Sequence, residues 1–199
     1  MSALDDRLVH LLSYPALDRD LAKERFSILE ESGVEEVLDE GRVELGGHRV
    51  LGKGHASLVL AGIWMGRKAA IKVLRTDSKR NTLEKEALLL RLANSVGVGP
   101  KLYADLGFAV IMEFIPGIRF GEWVPKDGEE GRRIIRDLLL QCRKLDEIGL
   151  DHGELSNPAR HVIVGPRVVI IDFESASLER RPTNVTSVAQ HLFLSLIHI

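Results

Sequence analysis

Cysteine is all but missing from this chain: Cys142 is the single one in 199 residues. A lone thiol can neither close an internal disulfide nor build a cysteine-based zinc site, and the expected setting is a reducing cytoplasm. An excess of charge is missing as well, with 27 Lys and Arg against 29 Asp and Glu and a formal net charge of −2. That balance gives no strong nucleic-acid signal and no reason to expect a membrane-surface binder, although a local basic patch is compatible with it. No apolar run approaches the roughly 20 residues that cross a bilayer, so no membrane partner is expected. The acidic start, with Asp5 and Asp6, has neither the basic segment nor the apolar stretch of a signal peptide. Repeats and low-complexity segments are absent too. What is present, 45% hydrophobic and 28% charged residues, is the make-up of an ordinary globular protein. Its length suits one generous domain or two small ones around a sizeable core.

Periodicity orders the chain. Leu4, Leu8, Leu11 and Leu12 recur at helical spacing, and a second helical stretch from about residue 15 carries Leu17, Leu21, Ile28 and Leu29 before Gly33 stops it. Around residue 42 the period changes: Val43 and Leu45 alternate with polar neighbours, Gly46-Gly47 supplies a hairpin turn, and residues 48–51 begin the return strand. Further strands are expected at 57–63 and 68–74, then a helix at 81–93, then strands at 102–105 and 109–114. After Pro116-Gly117, residues 129–148 read as one long amphipathic helix with Ile135, Leu138, Cys142 and Leu145 on a stripe and Gly149 as its cap. Short strands at 161–164 and 168–171 flank the turn Gly165-Pro166-Arg167. Residues 188–199 begin as another apolar helix but end in SLIHI with no cap, as expected of a truncated chain or one with a foreign tail. The order is a strand-rich part holding one helix, a short apolar connector, and a helical part with a small hairpin. Such an α+β layout predicts two lobes with the natural cleft at the connector.

Four stretches carry residues suited to chemistry. In LGKGHASLV, residues 51–59, Gly52 and Gly54 flank Lys53 in a turn between two predicted strands. Glycines there let the backbone approach a phosphate, and they equally suit an ordinary hairpin turn. The strand that follows, instead of a helix, argues against a dinucleotide-binding fingerprint. Lys72 lies in AAIKV among apolar strand residues, where its ammonium either finds a carboxylate such as Glu84 or Glu86 or extends to the surface. IMEFIPG, residues 111–117, reads as a connector whose backbone groups could bond a planar heterocycle, or as any strand followed by a turn. Finally, residues 150–177 set Asp151, His152, Glu154, Asn157 and His161 in a loop and Asp172 directly after an apolar run. A carboxylate at the end of a buried strand calls for a cation or a hydrogen-bond network. A metal site made from His152, Glu154, His161 and Asp172 is an alternative, though their separations match no zinc signature. Cys142 on its helix stripe reads as core, and Arg132, Arg133 and Arg136 as a solvated helix face.

Taken together, these residues resemble a small atypical protein kinase of the archaeal type. The similarity is to RIO-type kinases and the minimal kinase of the KEOPS complex, and more distantly to aminoglycoside and choline phosphotransferases. It spans about residues 48–177, and its specificity lies in five motifs standing in kinase order. The resemblance implies a bilobal protein-kinase-like fold: a helical extension over 1–40, a strand-rich lobe over 41–115 and a reduced helical lobe over 116–199, the part on which the expected truncation falls. It implies ATP with Mg2+, or alternatively Mn2+, as cofactors. Gly52, Lys53 and Gly54 resemble the glycine-rich loop, with Ser57 where a third glycine often stands and Val59 just beyond. Lys72 resembles the phosphate-binding strand lysine, Glu86 its helix partner with Glu84 in reserve, and Ala70 and Met112 the adenine pocket. Residues 113–115, Glu113 to Ile115, resemble the hinge. His152-Gly153-Glu154 resembles the catalytic loop and Asp172-Phe173-Glu174 the magnesium motif.

The departures are specific. Glu154 stands where the family has aspartate and reaches one methylene farther. His161, seven residues after Glu154, stands before the strand where an asparagine metal ligand is expected, and Asn157 is the alternative. Glu174 replaces a glycine, and no activation segment follows. The implied activity is phosphoryl transfer to a hydroxyl, a protein serine or threonine in preference to a small molecule. Glu154 and His161 favour the alternative of a pseudokinase that binds nucleotide and regulates a protein partner.

Overall fold

The computed structural model describes residues 4–197. The chain divides into two units, residues 1–84 with 102–114 and residues 85–101 with 115–199.

The first unit opens with α1 (Asp6–Leu12) and α2 (Arg19–Glu31). The side chain of Asp5 accepts from the Leu8 amide at 2.8 Å and that of Asp18 from the Leu21 amide at 3.0 Å, which fixes both helix starts. The second helix therefore begins later than its leucine spacing predicts, because Asp18 and not Pro15 supplies the cap. The strands β1 (Val34–Leu38), β4 (Gly52–Lys53), β5 (Ser57–Trp64), β6 (Arg67–Leu74), β7 (Leu102–Asp105) and β8 (Ala109–Glu113) form one sheet in the order β1-β5-β6-β8-β7, with β4 also on β5. A separate hairpin joins β2 (Val43–Leu45) and β3 (His48–Val50). Its turn, Gly46-Gly47 with φ +59° and +83°, has the left-handed backbone that matches strand twist.

β1 lacks the alternation that marks a strand, and the sequence does not predict it. A bulge between Val34 and Glu36 shifts its register on β5, so Val34 and Val37 both turn inward at a spacing of three. One sheet face, with Leu58, Leu60, Ile71, Val73 and Ile111, packs with Leu8, Leu11, Leu12 and Leu29 into a common core. The N-terminal helices thus cover the sheet of this unit. Arg25 reinforces the joint: its Nη1 donates to the Leu12 and Leu74 carbonyls at 2.6 and 2.8 Å, and its guanidinium lies over the Phe108 ring.

The second unit holds α3 (Glu84–Ser95), which starts where the Thr82 hydroxyl accepts from the Glu84 amide at 3.0 Å. It continues through β9 (Ile118–Arg119), α4 (Gly128–Glu147), α5 (Pro158–His161), β10 (Val162–Val164), β11 (Val168–Ile170) and α6 (Asn184–Ile197), with single 3-10 turns at Phe120–Glu122 and Phe173–Ser175. Asp127 caps α4 by accepting from the amides of Glu129 and Glu130. Its buried stripe is Ile134, Leu138, Cys142 and Leu145, so Ile134 takes the place expected of Ile135. Arg132, Arg133 and Arg136 are exposed. The antiparallel sheet β11-β10-β9 lies in the same unit, and the Gln141 side chain of α4 donates to the Val168 carbonyl of β11 at 2.9 Å. The expected uncovered end at 195–199 falls on side chains outside the description, and residues 198–199 lie outside it altogether. Among the described residues no helix is long and apolar enough to cross a membrane.

Candidate active site

The pleat of the large sheet sorts its side chains before any chemistry enters. Lys72 of β6 is opposite Val59 on one side and Val110 on the other, and Ala70 is opposite Ala61 and Met112. Directly paired residues share a face, so Val59, Ala70, Lys72 and Met112 stand together on the face opposite the Leu58, Leu60 and Ile71 core. Lys72 is buried. Gly52 pairs with Val59 and belongs to the short strand β4, so the glycine-rich turn proper is residues 54–56. The Gly54 amide donates to the Ser57 carbonyl at 2.8 Å, and Arg75 Nη1 donates to the Gly54 carbonyl at 2.8 Å. Lys53 Nζ donates to the Tyr14 hydroxyl at 2.7 Å, and the Arg75 guanidinium lies 5.1 Å from the centre of the Tyr14 ring. Tyr14 and Arg75 thus hold this turn, a contact across 39 residues that no local sequence signal announces. Glu113 closes β8, and Ile115 is the first residue of the chain's next segment in the other unit.

The second unit builds the loop chemistry. His152 is fully buried. Its Nε2 donates to the Ile171 carbonyl at 3.0 Å and its ring stands edge-on to Phe173 at 5.0 Å. Burial pulls its pKa down from 6.5 to about 4, so it is a neutral structural ring. The backbone of Asp151 pairs with Ser177, and its carboxylate accepts from Arg180 Nε at 2.7 Å. Gly153 has φ +86°, and a Cβ there would meet the Ser175 carbonyl oxygen at 2.6 Å. This position therefore requires glycine. Together these ties bind the loop that carries Glu154 to the segment that carries Asp172.

Asp172 itself has φ +69° and ψ +77°, a left-handed backbone that aspartate tolerates better than most residues and that turns the chain out of β11. Pro158 starts α5, so His161 ends a helical turn and is not, as expected, the first residue of β10. His161 Nδ1 lies 3.6 Å from Glu154 Oε2 and 4.0 Å from Asp172 Oδ2. Glu154, His161 and Asp172 each offer a donor atom, all within 4.8 Å of one another. Glu86, Asp172 and Glu174 do the same on carboxylate oxygens alone. Asn157 is exposed at the start of α5, and its amide donates to the Glu154 carbonyl at 3.0 Å.

Of the residues singled out by sequence, Glu154 and His161 meet Asp172, and Glu86 meets it with Glu174, all within one unit, while Gly52, Lys53, Gly54, Ser57, Val59, Ala70, Lys72, Met112 and Glu113 belong to the other. The approach of Glu86 on α3 to Asp172 and Glu174 was beyond a reading by motif, since no spacing rule links residue 86 to residues 172 and 174. Carboxylates around Asp172 supply the hard oxygen donors a magnesium ion takes, and the imidazole adds a nitrogen suited to transition metals. The residues present fit a divalent cation.

No family model matches the chain. It is similar to the Rio2 kinase of Chaetomium thermophilum, solved as its ADP/Mg2+-phosphoaspartate complex, with a TM-score of 0.52, 14% identity, and coverage of 96% of this chain and 78% of that one. The fold is therefore RIO-kinase-like, as the order of motifs predicts. An uncharacterized protein of Methanocaldococcus jannaschii is 31% identical over 83 residues, a stretch covering 41% of this chain and 72% of that protein. An identity of this extent makes kinship of sequence as well as of fold, and the chain belongs to the same family as that Methanocaldococcus protein.

Proposed function

We propose that the protein is an ATP-dependent phosphotransferase that moves the γ-phosphate to a hydroxyl, most simply as an atypical serine/threonine protein kinase. The observation that carries this reading is the meeting of Glu154 and Asp172, residues from two separate loops of a RIO-kinase-like fold, around one shared point. In this reading the backbone of Gly52, Lys53 and Gly54 and the side chain of Ser57 contact the phosphates, and Lys72 bonds the α- and β-phosphate oxygens. Val59, Ala70 and Met112 present an apolar surface to the adenine ring, and the backbone from Glu113 to Ile115 bonds its edge. Asp172 holds the cation, with His161 or Asn157 as a further ligand, and the cation supplies neutralisation of the phosphate charge. Glu154 accepts a hydrogen bond from the acceptor hydroxyl and aims its oxygen. Such chemistry rests mainly on positioning and charge stabilisation, so a glutamate in place of the usual aspartate is compatible with it.

A second reading, a nucleotide-binding module that regulates a partner, is favoured by the imidazole of His161 standing 3.6 Å from Glu154, where it crowds the carboxylate meant for the acceptor. Labelled ATP separates the two. Binding together with release or transfer of label by the purified protein, lost on Lys72→Ala, supports the phosphotransferase. Binding without turnover in Mg2+ or Mn2+ overturns it in favour of the regulatory module.

A further inference from the structure

Glu154, His161 and Asp172 reach one point from three pieces of chain: the loop after α4, the last residue of α5 and the second residue after β11. His161 is held in place from two sides. Its carbonyl accepts from the Ile171 amide at 2.9 Å, and its ring stands edge-on to the buried His152 ring at 5.8 Å. Its Nδ1 is shielded from solvent and has no hydrogen-bond partner among the described residues, yet two carboxylate oxygens lie 3.6 and 4.0 Å away. Those separations are too long for hydrogen bonds and suit donors arranged around an ion. Bonds of about 2.1 Å span about 4.2 Å across a cation, so donors within 4.8 Å need to draw in by only tenths of an ångström.

We propose that Glu154, His161 and Asp172 form a mixed nitrogen–carboxylate site that takes a first-row transition cation in preference to Mg2+, without any nucleotide, and that Glu154 is one of its ligands. The proposal deepens the phosphotransferase reading by naming the class of metal, and it rests on that reading only for what the metal then does. Two carboxylates bring the negative charge a divalent ion needs. Mg2+ demands oxygen and parts from water reluctantly, so an imidazole in its shell is a loss to it, whereas imidazole suits Mn2+, Co2+ and Zn2+. An asparagine at position 161 would present an amide oxygen and remove the discrimination. Glu154 can bind the ion through one oxygen and keep the other for the acceptor hydroxyl. The all-carboxylate group of Glu86, Asp172 and Glu174 shares Asp172 but contains no nitrogen to discriminate between ions.

The test uses the full chain without nucleotide, with Mn2+ as the probe read by electron paramagnetic resonance and Mg2+ as competitor. The expected result is Mn2+ binding at least tenfold tighter than Mg2+, with spin-echo modulation from one histidine nitrogen. In His161→Asn the nitrogen signal disappears and Mn2+ affinity falls at least tenfold, while Mg2+ affinity holds; in Glu154→Gln Mn2+ affinity falls with the nitrogen signal kept. Melting curves of both variants establish that they fold. Equal affinity for the two ions, no Mn2+ binding without nucleotide, or an unchanged nitrogen signal in His161→Asn overturns the proposal. Mn2+ preference without ATP turnover leaves this site standing and sinks the phosphotransferase, and turnover in Mg2+ without Mn2+ preference does the reverse.

Discussion

Acid should unfold this protein earlier than its carboxylates alone would dictate, and His152 is the reason. The ring is fully buried, donates from Nε2 to the Ile171 carbonyl and has its pKa lowered from 6.5 to about 4, mainly by desolvation. The unfolded chain takes up this proton as the pH falls through 6.5, whereas the folded chain stays neutral until about 4. Stability is therefore intact above 6.5 and declines as the pH falls below it. Each pH step across that window removes about 1.4 kcal/mol, so the contribution is ~2 kcal/mol by pH 5 and ~3 kcal/mol once the folded pKa is passed. Urea melts of wild type and His152→Gln between pH 7.5 and 4.5 isolate the effect, because all other titrating groups are common to both. Glutamine keeps a donor for the Ile171 carbonyl but cannot protonate. The variant is expected to be less stable at neutral pH and flatter in its pH dependence, the gap closing by about 2 kcal/mol between pH 7 and 5. Parallel pH profiles for the two proteins would refute a neutral buried imidazole at this position.

Other consequences follow from single residues. Glu154→Asp shortens the carboxylate arm by one methylene, withdrawing it from both His161 and the acceptor, and activity is expected to fall by about 10- to 100-fold; a gain in steady-state rate would mark Glu154 as a degenerate aspartate. Gly153→Ala forces a Cβ to within 2.6 Å of the Ser175 carbonyl at φ +86°, so the variant should melt at clearly lower urea and lose activity, and unaltered melting contradicts the close approach. Cys142 is fully buried on α4, where desolvation raises its thiol to about 12; a disulfide reagent at pH 8 should react with it only after denaturation.

Legibility in the sequence tracked how local each determinant is. The strands expected at 57–63 and 68–74 are β5 and β6, whose pairs match residue for residue from Ser57↔Leu74 to Trp64↔Arg67. Alternation failed for β1 because its bulge puts Val34 and Val37 on one side. Asp172 was conspicuous as a carboxylate following the apolar run of β11, since burial of charge is costly wherever the chain runs. Its convergence with Glu86 was not, because Glu86 reaches Asp172 only through packing of α3 in the second unit. His161 was identifiable as a departure from a resembling family, but its approach to Glu154 depends on Pro158 starting a helical turn that the apolar count of Val162, Ile163 and Val164 concealed. Tyr14 belonged to a turn between two helices with no outward sign that it would hold Lys53.

The central claim, that Asp172 anchors a cation-dependent phosphoryl transfer, is tested most directly by turnover of γ-labelled ATP with wild type and Asp172→Asn side by side. The substitution keeps the shape of the side chain and removes its charge. Measurable transfer or release of label is expected of the wild type and a loss on the order of 10²–10³-fold in the variant, with both proteins melting alike. Turnover in Asp172→Asn equal to that of the wild type would contradict it.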